Sequence, residues 1–187
     1  MNYLQARQQA GGSLPFKGQT ISGVTGTMAA ALAANAVVTA WRYPTTGPTK
    51  GLVHWVHLHY VCIVAFTAPV TAGRQLHIIR GSGGDASGGT ALDVSRNQSD
   101  LTETLFTGQI ATTAGLTMTN VVYTSEVPKA RMLLAHAGAA GSSYDEIWRF
   151  DDPLMLLPGE LLAVRTPAQF DAAGTWQLNI KVGAGEL

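Results

Sequence analysis

The segment from Asp151 to Val182 constrains the fold of this chain more than any other. Pro158-Gly159 separates two apolar runs, Leu154-Met155-Leu156-Leu157 and Leu161-Leu162-Ala163-Val164. Further on, Trp176, Leu178, Ile180 and Val182 alternate with Gln177, Asn179 and Lys181. Proline and glycine punctuate turns, and a period of two places alternate side chains on opposite faces of a strand. The segment therefore reads as a strand pair closing a β-sandwich. It contains no recognisable catalytic motif.

The preceding sequence repeats this pattern. Val37-Val38-Thr39-Ala40-Trp41-Arg42-Tyr43 has the β-branched and aromatic content of a strand, which is expected to begin near Asn35. The Ala-rich stretch Met28–Ala36 leaves a short helix as an alternative before it. Leu52–Thr67 exceeds the usual strand length, so one bent strand or two short ones are expected there. Further strands are expected over Gln75–Arg80 and near 103–106, 109–113, 117–122, 131–136 and 147–150. Short strands separated by Gly, Pro, Ser and Asn predict an all-β, antiparallel, jelly-roll-like sandwich.

Residues 1–27 contain Gly11, Gly12, Pro15, Gly18, Gly23 and Gly26 without a sustained period. They read as an extended N-terminal arm attached to one sandwich domain over 28–187. Fully extended, the arm spans at most roughly 90 Å. At 187 residues, the chain should bury roughly 70% of its unfolded surface without a disulfide staple. Its single cysteine, Cys62, lies in the apolar run Val61–Val64 and reads as a buried, inert thiol.

Charged residues make up 13% of the chain and the formal net charge is zero. That proportion is about half the usual roughly 25%. Sparse charge weakens repulsion between copies, so association with other subunits is expected. The 12 basic residues are scattered and matched by 12 acidic ones, which argues against nucleic-acid binding. The start of the chain lacks a secretory apolar core, and the longest apolar run, Val53–Phe66, is short for a membrane span.

Several constellations test the chemistry of this expected sandwich. His57 and His59 share a strand face, with His54 on the other and His77 and His136 elsewhere. Two imidazoles invite a metal, and a cupin-type enzyme is the corresponding reading, but no Asp or Glu precedes Gly84 to complete its early motif. The glycine-rich loop at 81–89 lacks the Gly-Lys-Ser/Thr ending of a phosphate-binding loop and reads as turn geometry. Asp145, Glu146, Asp151 and Asp152 match no calcium-loop spacing. No Gly-x-Ser-x-Gly elbow orients a serine nucleophile. No catalytic, cofactor or metal residue is assigned, and the chain is read as a non-enzyme. Trp41, Trp55, Trp148 and Trp176 are mainly core candidates; an outward one would suit a partner or a sugar ring.

From about Met28 to Val182, the chain resembles a family of small virion structural proteins of tailed bacteriophages. The resemblance rests on the Ala-rich entry into Val37–Arg42, the segment Gly83–Leu92, Arg96-Asn97-Gln98, Leu157–Arg165 and Gly174-Thr175-Trp176. It implies a β-sandwich that decorates or cements the capsid, with the major capsid protein as partner. Assembly in the host cytoplasm and location on the capsid surface follow from that resemblance. No catalytic residue carries over.

Departures from the family pattern fall in residues 1–27 and around 137–147. Self-association as a homotrimer or homodimer is expected, with Leu14, Pro15 and Phe16 of the arm as interface residues. The alternative is a tail-associated or receptor-binding virion module recognising host glycans.

Overall fold

In a computed structural model, the described residues are 17–29, 32–46, 50–66, 75–96, 106–134, 139–169 and 173–186. They form the expected all-β antiparallel sandwich. Among the described residues the first and last strands, β1 (Lys17–Val24) and β14 (Thr175–Glu186), pair antiparallel. Inside them, β3 (Val37–Arg42) pairs with β13 (Glu160–Arg165), and β4 (Gly51–Val64) with β12 (Ser143–Leu156). Innermost, β5 (Gln75–Ser82) pairs with β11 (Val122–Leu133). The pairs are nested, as if one long folded ribbon had been rolled up.

Two further pairings join these ribbons into sheets. β14 also lies beside β4, and β13 beside β5. One sheet consequently runs β12-β4-β14-β1, ending in β8 (Asp93–Arg96), with β2 (Met28–Ala29) attached to β14. The other runs β11-β5-β13-β3, ending in β9 (Thr107–Ile110) and β7 (Thr90–Ala91). A small two-stranded sheet of β6 (Asp85–Ser87) and β10 (Thr117–Thr119), whose strands flank β7 to β9 in sequence, is inserted between β5 and β11.

The core explains the two kinds of apolar pattern. In β14, Trp176, Leu178, Ile180 and Val182 are fully buried while Lys181 is exposed, because only one sheet face meets the core. By contrast, Val37–Trp41, Leu76–Ile79 and Leu161–Val164 are buried continuously. The second sheet is covered on its outer side too: Ala86, Met118 and Val121 from the insertion pack against the main cluster. Burial on both faces favours continuous apolar runs over alternation.

Several local expectations need correction. β13 and β14 do not pair with each other; each joins a different sheet. No helix occurs among the described part of 28–36, where β2 is followed by a turn at Ala34–Asn35. Part of the expected arm is an interior strand: β1 lies between β14 and β8. Its inward side carries Gln19, Ile21 and Gly23, only one of which is strongly apolar. Gln19 is nevertheless fully buried, its Oε1 accepting from Phe106 N at 3.0 Å. A Cβ at Gly23 would lie 2.6 Å from Leu92 Cδ2.

The strands expected at 131–136 and 147–150 belong to the much longer β11 and β12, with 135–136, like 103–105, outside the described residues. Both β11 and β12 contain a proline at a bulge. Residues 127–130, including Pro128, stand opposite Ile78 alone, and residues 150–153, including Pro153, opposite His54 alone. Proline lacks the N–H a ladder requires, and a bulge removes that requirement locally. Both strands are sheet edges, where bulges and proline also discourage uncontrolled pairing with another chain.

Candidate interaction surfaces

Glu126 begins the β11 bulge and ties three strands together. Its Oε2 accepts from Arg131 Nη2 at 2.5 Å, while its Oε1 faces His77 Nδ1 at 3.2 Å and accepts from Arg165 Nη2 at 3.3 Å. His77 is buried in β5, and its other ring nitrogen lies 2.7 Å from Gln75 Oε1. The hydrogen bond from Arg131 is the largest influence holding the Glu126 carboxyl down at about 2, followed by that from His77. This carboxylate clamps the ends of the bulge instead of extending freely into water.

Replacing Glu126 with Gln is expected to cost about 1–2 kcal/mol at neutral pH, allowing for screening of a side chain one-third exposed. The sign follows from the lowered folded-state pKa. The carboxylate contributes fully above its ordinary value of 4.5 and loses that contribution as pH falls towards about 2. Thermal melts from pH 7 to pH 3 should show the gap between the native and E126Q proteins narrowing below about 4.5. A gap constant over that range would assign the loss to altered side-chain packing instead.

Beside this clamp the two edge strands expose apolar side chains. Val122, Tyr123, Met155 and Leu157 are 65%, 39%, 49% and 52% exposed. Their positions are connected through the second sheet. Val122 and Glu160 both pair with Ser82, while the Glu160 carboxylate accepts from Leu157 N at 2.7 Å. Tyr123 pairs with Gly81, and Arg80 donates through its guanidinium to Met155 O. Between the strands lies a cleft of about 290 Å³ lined by Arg80, Ser125, Glu126, Val127, Pro153 and Met155, among others. Of the four exposed apolar side chains Met155 lines the cleft beside Arg80 and Glu126; with Val122, Tyr123 and Leu157 it makes an apolar rim along the two sheet edges, suited to protein contact.

The sequence-predicted positions have different fates. Leu14, Pro15 and Phe16 lie outside the described residues, as does His136. His57 and His59 do share the outer face of β4, and His57 Nε2 is paired with Asp145 Oδ1 at 2.7 Å. Among the described residues, no group of three His, Cys, Asp or Glu side chains is placed to hold a metal. His54 sits opposite the β12 bulge, and burial lowers its pKa from the usual imidazole value. Cys62 is buried, as expected.

The glycine-rich loop supplies turn geometry and close approach. Gly83 and Gly88 have φ of +89° and +83°. A Cβ at Gly84 would meet Thr119 O at 2.0 Å, so glycine permits the β6 and β10 backbones to meet. Arg42 anchors this region by donating from Nη1 to Gly84 O at 3.0 Å and Asp85 Oδ1 at 2.8 Å. Adjacent is a small pocket of about 170 Å³ that includes Arg42, Asp85, Thr107 and Gln109. The spacing of Arg42 from the loop gave no sequence signal for this contact.

No family model and no curated protein matches the chain. Among solved structures, comparison finds the infectious bursal disease virus VP2 subviral particle at 13% identity and a TM-score of 0.09. The alignment covers 89% of this chain and 42% of that one, so this chain spans less than half of its length. At that score the likeness bears on neither fold nor function.

Proposed function

We propose that this chain is a virion structural protein of a tailed bacteriophage, bound to the major capsid protein lattice as a decoration or cement protein. The observation that carries the reading is the exposure of Val122, Tyr123, Met155 and Leu157 along the β11 and β12 edges, with Met155 in a cleft beside Glu126. Binding there would cover apolar surface without first unfolding the sandwich. The sparse charge and zero formal net charge support repeated association. The nested pairing of eight strands supports a jelly-roll assignment. The family resemblance supplies the choice of the capsid as partner.

A cement protein joins neighbouring capsid subunits through several contacts at once. Once one contact forms, the others act at high effective concentration, so modest contacts accumulate into large avidity. Self-association as a trimer or dimer would multiply that effect. The arm, with Leu14, Pro15 and Phe16, is assigned to the same interface.

Cryo-electron microscopy of the intact virion tests the location directly. Many copies bridging capsid subunits across the shell are expected; a few copies confined to the tail would replace this reading with a tail-associated one. Capsid co-sedimentation tests the surface. Tyr123→Asp together with Leu157→Asp should reduce capsid binding at least tenfold while leaving the isolated protein folded. Undiminished binding would remove this rim from the interface.

A further inference from the structure

We infer that the outer face of the β12-β4-β14-β1 sheet is a binding platform for a neutral carbohydrate, centred on Trp55. Register places Arg149, Trp55, Gly183 and Thr20 in one row across that face, and Ile147, His57, Lys181 and Ser22 in the next. Asp145, His59 and Asn179 form part of a third. Trp55 differs from Trp41 and Trp176, which are fully buried, and from Trp148, which packs against the core. It lies across Gly183: a Cβ at that position would be 2.1 Å from Trp55 Nε1 and 2.4 Å from Cε2. Glycine thus leaves room for the indole to rest against the sheet.

Trp55, His57, Ile147 and Arg149 enclose a shallow pocket of about 180 Å³. That space suits a single pyranose ring. The C–H-rich face of a sugar can stack on an indole, while its hydroxyls require both donors and acceptors. Asp145 fixes the His57 ring beside the pocket. Within the described residues, the side chains of Arg149, His59, Asn179 and Lys181 have no hydrogen-bond or ion-pair partner, leaving their polar groups available. Neighbouring strands are about 4.8 Å apart, so these groups recur across the sheet at a spacing suited to successive hydroxyl-bearing units.

Charge selects the ligand class. Arg149 and Lys181 are balanced on this face by Asp145 and Asp93, which pairs with Ser22. A balanced face has no net electrostatic preference for a polyanion or polycation. Polar side chains around one aromatic platform instead favour a neutral, hydroxylated ligand. This assignment is independent of the capsid interface on the rim of β11 and β12.

The test uses the full chain with immobilised neutral oligosaccharides containing glucose, galactose, mannose or N-acetylglucosamine. At least one class should be retained, with Trp55→Ala weakening it at least tenfold and Trp55→Phe preserving most of the binding. Arg149→Ala should weaken the same interaction several-fold, with unchanged circular dichroism confirming that the variant folds. Failure of the native protein to retain any of these sugars would overturn the inference, as would undiminished retention by the Trp55→Ala protein. Loss of capsid association alone in that variant would instead assign the face to protein contact. Capsid binding without sugar binding would overturn this inference while leaving the proposed structural function intact.

Discussion

Deletion of residues 1–24 should abolish cooperative folding, whereas deletion of residues 1–16 should preserve it. The longer deletion removes all of β1 and strips one side of β14 of its partners from Lys17↔Glu186 to Val24↔Asn179, leaving its pairing with β4. It also removes buried Ile21 and the Gln19 side chain that receives the Phe106 N–H. A domain stable by only about 5–15 kcal/mol cannot sustain loss of an interior strand at this scale. The shorter deletion removes none of those described pairs. Soluble expression, circular dichroism and thermal unfolding should separate the two proteins. A cooperative transition in the 1–24 deletion would show that β1 is dispensable to the sandwich, contrary to its place between β14 and β8.

Trp176→Ala should destabilise the domain more than E126Q or any substitution on the apolar rim. The indole is fully buried on the inward face of β14 and stacks near Tyr60, with ring centroids 5.6 Å apart. Removing it leaves a cavity that neighbouring strands cannot readily fill. A loss of about 3–5 kcal/mol is expected, equivalent to roughly 6–20 °C in melting temperature for a chain of this size. Trp55→Ala should change stability much less because Trp55 lies on the outer face. Calorimetry can compare them directly: equal losses would contradict the distinction between the core indole and the surface indole.

The legibility of the sequence follows from that distinction. Trp176, Leu178, Ile180 and Val182 reveal an inward face because the opposite side of β14 remains accessible. The same period of two identifies His57 and His59 as neighbours on one face of β4. It fails for β13, whose continuous apolar run reflects a second cover, and that cover comes from residues distant in sequence. β1 is harder still: Gln19 is buried by a specific hydrogen bond, while Gly23 permits close packing. Pro128 and Pro153 conceal the full lengths of β11 and β12 because a bulge makes each proline compatible with its strand.

The candidate surfaces were less legible than the strand pattern. Glu126 meets His77, Arg131 and Arg165 only after β5, β11 and β13 are brought together. Trp55 gains its role as a surface platform only when Gly183 lies beneath it. No short motif encodes either arrangement. Leu14, Pro15 and Phe16, the positions assigned from the arm, remain a proposal to be tested by the shorter deletion in capsid binding.

The nested strand order also sets the timing of assembly. Lys17 meets Glu186, 169 residues further along, so β1 cannot obtain this partner until Glu186 has emerged from the ribosome. The innermost β5-β11 ribbon can form earlier. Long-range closure slows folding and lengthens the exposure of unpaired strands. During that interval β1 of one copy is available to β14 of another, making this pair the place where folding and exchange between copies compete.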